Sequence, residues 1–295
     1  MTITARDHYQ ARMQRVLDYI DRHLDEDLSL DVLSGVAAFS KHHFHRQFAA
    51  AFGLPVNRYV QLARMKHASY RLAFRGEGSV TDIALDVGYE APDAFARVFR
   101  QRIGQSPSAF RKSPDWEPWL AAFGPLTDAR SKHMTPYSRD DVTVRPFPAT
   151  PVAFMKHQGD PGDVYETIQR FIAWRRQEGL GRETHATFCV FHSDPRTTPP
   201  AEFRLDLCVG TDRAVPANGE GVEAGMIPEG RCAMLRVIGQ SENLEGPALF
   251  LYRDWLPASG EEPRDYPLFC QRVSLYPDVP EHETVTDLFL PIKSR

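Results

Sequence analysis

The chain is short of everything a membrane, secreted or metal-scaffold protein would need. It has four cysteines in 295 residues, Cys189, Cys208, Cys232 and Cys270, and no two form a CxxC pair. Such spacing argues for reduced core thiols rather than a zinc ribbon or a disulfide framework. No apolar run approaches the roughly 18 residues that a membrane span requires. The opening MTITARDHYQARMQ is polar and lacks the apolar core of a secretory leader, so a cytoplasmic location without membrane partners is expected. A GxxxxGK[ST] phosphate loop, a GxSxG elbow and an HExxH pair are also missing, so no catalytic residue and no cofactor is assigned.

Positive charge does not predominate overall, the formal net charge being −4. Its distribution is uneven. Residues 1–112 carry 16 Lys and Arg against 12 Asp and Glu, whereas residues 113–295 carry 19 against 27. Six of the eleven histidines also fall in the first part. A mildly basic segment followed by an acidic one predicts two domains with different partners.

The first segment reads as helical. Met13, Val16, Leu17, Ile20 and Leu24 recur at three- and four-residue steps. Ser29 and Ser40 stand where N-caps of two further helices belong, and Gly53 with Pro55 marks a stop. A long helix is predicted from about Asn57 to Arg75. The pattern then repeats. The stretch from Ser79 to Tyr89 resembles that from Ser29 to Phe39, and Phe95-Ala96-Arg97-Val98-Phe99 copies Phe44-His45-Arg46-Gln47-Phe48. Two copies of one helix-turn-helix unit follow.

Three of the ten residues in FSKHHFHRQF are histidine. Phe44 and Phe48 at i and i+4 assign one helix face to the core, leaving Lys41, His42, His45 and Arg46 on or beside the other. A metal reading of His42 and His45 lacks ligands, because no Cys, Asp or Glu lies between Ser40 and Phe52. Solvated or packed histidines are the bland alternative. A DNA-facing surface fits the residue types, since Arg pairs with guanine and His bonds bases or phosphates. Two such helices one DNA turn apart, roughly 34 Å, would let one chain read two major grooves.

Residues 8–112 resemble the DNA-binding domain of the AraC family of transcription regulators. Ser29-Leu30 through Phe48, Gly88-Tyr89-Glu90, Phe95-x-Arg97-x-Phe99 and Gly104 through Arg111 carry the resemblance. It implies that His42, His45 and Arg46 occupy base-reading positions of the first recognition helix, beside Lys41, and that Arg97 occupies one in the second, with double-stranded DNA as partner and RNA polymerase as a candidate partner. The second helix opens Ala91-Pro92-Asp93-Ala94, which suits a helix start better than base reading. Its expected role is phosphate contact through Arg97.

Residues 114–140, with Pro114, Pro118, Pro125 and Pro136, read as a linker with a short ordered stretch around Trp116 to Phe123. From Asp141 the rhythm becomes strands and loops, repeated at an offset of about 80. Phe203–Val209 parallels Thr284–Leu290, and Trp174 parallels Trp255. Each half reads strand, helix, strand, strand. The expected fold is therefore an all-α double helix-turn-helix domain at 1–113, a linker at 114–140, and an α+β domain at 141–295 with a pseudo-two-fold repeat and a crevice between its halves.

Residues 141–295 resemble the GyrI-like effector-binding domain. His192-Ser193-Asp194-Pro195, Trp255 through Gly260, and Thr286 through Ile292 carry the resemblance. It implies a small-molecule site with aromatic walls and, in many members, a buried glutamate that receives a cation; Phe269 lies in the matching run, while Trp174 and Trp255 read either as core residues packing each helix on its sheet or as part of those walls. In the matching run Pro267-Leu268-Phe269-Cys270-Gln271-Arg272, Cys270 stands for that acid and Arg272 for a tyrosine. Cys270 and Arg272 share a strand face, and a buried cation beside Arg272 would be uncompensated. A neutral or anionic apolar effector is expected, with Asp287 either an alternative acid or, like Asp206 at its repeat-equivalent position, a structural residue. Hydrolysis of a small molecule at Cys270, or a protein partner in place of a small one, are the competing functions.

Overall fold

The structure is a computed structural model. It describes residues 5–76, 78–131, 137–239 and 243–294. The chain divides into two compact units, residues 1–135 and 136–295.

In the first unit the helices start and stop where capping chemistry predicts. Helix α1 (Ala5–Arg22) buries Met13, Val16, Leu17 and Ile20. In α2 (Leu30–Ala37) the Ser29 hydroxyl accepts from the Val32 amide at 3.4 Å. The turn that follows puts Ala38 in the left-handed region at φ 54°. Helix α3 (Lys41–Phe52) ends at Gly53, φ 75°. Helix α4 (Val56–Tyr70) runs on through a π-turn at Arg71–Arg75. The second copy is α5 (Val80–Asp86), closed at its start by a reciprocal Ser79–Asp82 capping box, and α6 (Pro92–Ile103), with Pro92 in its first turn. Helix α7 (Pro107–Lys112) follows, capped by Ser106. Each copy is built on a ring ladder, Phe44–Phe48–Tyr59 in the first and Phe95–Phe99–Phe110 in the second, with centroids 5.5–5.7 Å apart.

The linker expected at 114–140 needs correction. Trp116–Ser131 is a helix, α8, and it belongs to the first unit. Trp116, Trp119, Phe123, Leu126 and Ala129 form a buried stripe at helical spacing. Pro118 falls in the first turn, where its missing N–H costs nothing. Pro125 does interrupt the ladder. The apolar stripe, which buries two tryptophans and a phenylalanine at about 1.5–3 kcal/mol each, outweighs that loss. Arg130 adds a bidentate pair to the buried Asp21 carboxylate of α1, at 2.8 and 2.5 Å.

The second unit is one antiparallel sheet with helices packed on it. Its strands are β1 (Val142–Phe147), β2 (Thr150–Gln158), β3 (Thr187–Phe191), β4 (Arg204–Gly210), β5 (Val222–Ile227), β6 (Gly230–Ile238), β7 (Leu268–Ser274) and β8 (Val285–Pro291). Their order is β1-β6-β8-β7-β3-β4-β2-β5. Helix α9 (Val164–Gln177) follows β2. In the second half, α10 (Glu245–Leu249), a π-turn at Phe250–Trp255 and α11 (Leu256–Ser259) follow β6. Each half therefore has the expected strand–helix–strand–strand order with one further strand ahead of it. Those extra strands are exchanged: β1 pairs with β6 of the second half, and β5 with β2 of the first. The two four-stranded blocks meet at the β3–β7 ladder.

Alternation along the strands makes two apolar layers. One contains Phe171 and Trp174 of α9, Leu251 and Trp255, and, from the sheet, Leu207, Cys189, Leu268, Cys270 and Leu288. The other contains Phe147, Phe188, Cys208, Cys232, Phe269 and Phe289, with no helical residue among its buried members.

Candidate functional site

In the first unit the α3 pattern separates cleanly. Phe44, Phe48 and Phe52 are fully buried, while Lys41, His42, His43, His45 and Arg46 are exposed. Arg97 is exposed on α6, between the buried Phe95 and Phe99. Four of the five expected DNA-facing side chains thus share one helix surface. Lys41 also ion-pairs with Asp31 of α2, both side chains being mostly exposed. A surface pair of this kind contributes little and leaves the ammonium available to a phosphate.

The two copies are tied together from α4. Arg64 donates to the Leu24 carbonyl through Nε at 2.8 Å and to the Glu26 carbonyl through Nη2 at 2.7 Å. The same guanidinium lies under Gly88, whose φ is 74°. A Cβ there would stand 2.8 Å from Arg64 Cζ and 2.9 Å from the Leu24 carbonyl oxygen. Only glycine tolerates both that backbone and that approach. Arg64 therefore joins the approach to the first helix-turn-helix with the turn of the second.

In the second unit the expected effector residues do not all converge. Trp174, Trp255 and Cys270 are buried in the layer beneath the helices. Arg272 lies on the same strand face as Cys270 and donates from Nη1 to Thr286 Oγ1 at 3.3 Å. Phe269 does not join them. Neighbouring strand residues point to opposite faces, so its ring lies in the other layer, stacked on Phe289 at 5.0 Å. Asp287, the alternative acid, also belongs to the far face. Arg236 clamps its carboxylate at 2.7 and 2.8 Å, with Arg145 at 3.8 Å. Its repeat partner Asp206 is held by Arg204 at 3.1 and 2.8 Å and by His192 at 2.8 Å. Burial pushes the Asp206 carboxyl up, but those bonds outweigh it and hold it below the usual range. Both acids already have cationic partners.

The structure adds two residues that the sequence reading missed. Cys189 on β3 stands directly opposite Cys270 on β7. Arg175 of α9 is buried nearby, donating to the Leu180 carbonyl at 3.0 Å and to Thr187 Oγ1 at 2.9 Å. Burial lowers its pKa to about 10. The signal for Cys189 was present: the offset of 81 that relates Trp174 to Trp255 also relates Cys189 to Cys270.

Comparison with known proteins agrees with this division. Residues 33–113 match the helix-turn-helix domain family, and residues 140–293 match the GyrI-like small molecule binding domain. The "Probable transcriptional regulator YgiV" of Escherichia coli K12 is 35% identical over 153 residues, covering 52% of this chain and 96% of that protein. The "Right origin-binding protein" of the same organism is 29% identical over 133 residues, 45% of this chain and 44% of that one. Among solved structures, the DNA-binding domain of AdpA in complex with a target DNA is similar at 27% identity with a TM-score of 0.33, covering 34% of this chain and 90% of that one. The chain belongs to the GyrI-like family, and it is a DNA-binding transcription regulator that joins an AraC-type helix-turn-helix domain to a GyrI-like small-molecule-binding domain.

Proposed function

We propose that α3 reads base edges in one major groove through His42, His45 and Arg46, with Lys41 on the adjoining phosphates, while α6 anchors the next groove through Arg97. The observation that carries this reading is the exposed cationic and imidazole face of α3 above a fully buried phenylalanine face. Arg supplies a bidentate guanine contact, and the single charge of Arg97 suits phosphate anchoring. Two units on one chain meet successive grooves about 34 Å apart. Selection of operator sequences from a random pool tests it. The Arg46→Ala protein should select a degenerate base at one position where the wild type selects guanine, and an unchanged preference would refute the docking.

The effector is neutral or anionic and largely apolar, and it binds beneath the helices near Trp174, Trp255, Cys270 and Arg272. The cations Arg272 and Arg175 on that side support this reading, since a buried cationic ligand would meet like charge there. Binding shifts DNA affinity only if the effector distinguishes two states of the chain. The regulator acts in the cytoplasm and engages RNA polymerase at the promoter. Calorimetric titration with matched apolar anions, neutral compounds and lipophilic cations discriminates the classes. Binding confined to the cations would overturn the assignment.

A further inference from the structure

We propose that Cys189 and Cys270 form an oxidant-reactive thiol pair, which a peroxide converts to a disulfide joining the two halves of the small-molecule-binding domain. The inference stands on the sheet and does not depend on which effector the domain takes.

The two cysteines are register partners on β3 and β7 and lie in the same apolar layer. Directly opposed residues of an antiparallel pair have Cα atoms about 4.5 or 5.5 Å apart, and both values lie inside the roughly 4.4–6.8 Å range of disulfides. The other two cysteines cannot compete. Cys208 is in the opposite layer and pairs with Phe188 and Phe154, while Cys232 pairs with Arg145 and Pro291. Both thiols of the pair are free, and Cys189 retains 8% of its surface exposed, against none for Cys270. Cys189 is therefore the one a small oxidant reaches first.

The surroundings favour a thiolate at Cys189. The facing Cys270 thiol and the Arg272 guanidinium on the neighbouring strand stabilise the anion, and Arg175 adds a second positive charge. These act against burial and lower its pKa from the ordinary thiol value. Cys270 is pushed the other way, first by burial and then by the bond it donates. The nearby positive charges and the residual exposure both favour Cys189 as the attacking sulfur.

The chemistry balances. The Cys189 thiolate attacks one peroxide oxygen; the S–O bond forms, the O–O bond breaks and hydroxide leaves, taking up a proton to become water. Cys270 sulfur then attacks the Cys189 sulfenic acid. The S–S bond forms, the S–O bond breaks, and the Cys270 proton leaves with the hydroxyl as a second water. Two electrons pass from the thiols to the peroxide. The new bond spans the ladder where the two four-stranded blocks meet.

The test treats the full native chain with a small excess of hydrogen peroxide and maps it by intact mass and non-reducing peptide analysis. The expected product has lost two hydrogens and yields one linked peptide pair containing Cys189 and Cys270, reversed by dithiothreitol. Cys208→Ser and Cys232→Ser should react like the wild type. Cys270→Ser should stop at a Cys189 sulfenate that dimedone captures, and Arg272→Gln should slow the reaction several-fold while Arg272→Lys restores most of it. No linked pair in the wild type, or oxidation spread equally over Cys208 and Cys232, would overturn the proposal. Neither result bears on DNA binding, which is measured separately by anisotropy.

Discussion

Trp119 of α8 donates its indole N–H to the Ser69 hydroxyl of α4 at 2.7 Å, with both residues buried. Its ring also meets Tyr70, Trp116 and Phe123 at centroid distances of 5.7, 5.4 and 5.0 Å. Helix α8 is therefore part of the core that supports the DNA-binding helices. Trp119→Phe should cost about 1–2 kcal/mol, from the lost bond and the hydroxyl left without its donor. Trp119→Ala should cost about 3–5 kcal/mol through the cavity. Hydrogen exchange of the α4 amides in the full chain reports both. An effect confined to α8 would mean that it packs independently.

Gly88 and Ala38 occupy equivalent turns of the two helix-turn-helix units, at φ 74° and 54°. Gly88→Ala should weaken operator binding at least tenfold, because the methyl must displace Arg64 or the Leu24 carbonyl and disturb the tie between the units. The reverse change in the first unit should help. Ala38→Gly relieves left-handed strain of about 1–2 kcal/mol and gives back part of it in unfolded-state entropy, for a net gain of about 0.5–1 kcal/mol. Thermal unfolding checks the second and anisotropy the first.

Arg46 and Arg97 should separate by the kind of loss they cause. Arg46→Ala should reduce discrimination at one base pair by about 1–3 kcal/mol. Arg97→Ala should weaken binding to all sequences alike and lower the salt slope by about one. Titrations against operator and scrambled DNA at several salt concentrations distinguish the two. A sequence-selective defect in Arg97→Ala would assign base reading to α6.

His67 of α4 should make the first unit acid-sensitive. Burial, followed by the Arg71 charge, lowers its pKa to about 4, against the opposing pull of Asp21, Asp86 and Asp25. The unfolded chain then binds the proton more readily than the folded one below about pH 6.5, so stability falls as pH drops from there towards 4. The loss is at most about 3–4 kcal/mol for that shift. Denaturant unfolding at pH 7 and pH 4.5 should show it, and His67→Gln should reduce the difference. An equal pH dependence in that variant would place the titration elsewhere.

Much of the DNA-binding unit was legible because its signals are local. Ser29, Ser79, Gly53 and Gly104 mark helix ends through their own backbone chemistry, and the spacing of Phe44 and Phe48 separates an inner from an outer face. Helix α8 was legible only as a short ordered stretch around Trp116 to Phe123, because its prolines argue locally for a loop and only the contacts of Trp119 with α4 reverse that. The exchange of β1 and β5 was likewise hidden. Neither strand's partner is near it in sequence, and the repeat at an offset of 80 says nothing of which half a strand joins.

The sequence by itself determined the two-domain division, the paired helix-turn-helix units, the exposed face of α3 and the internal repeat of the second domain, all of which follow from periodicity and capping along a single segment. The tertiary structure alone decided which side chains meet across segments. It sent Phe269 and Asp287 to the far face from Cys270, satisfied the buried Asp206 and Asp287 with arginine, and set Cys189 against Cys270. Strand register is the physical reason, since a shift of one residue turns every side chain to the other face, and register is a property of two strands brought together, which neither carries alone.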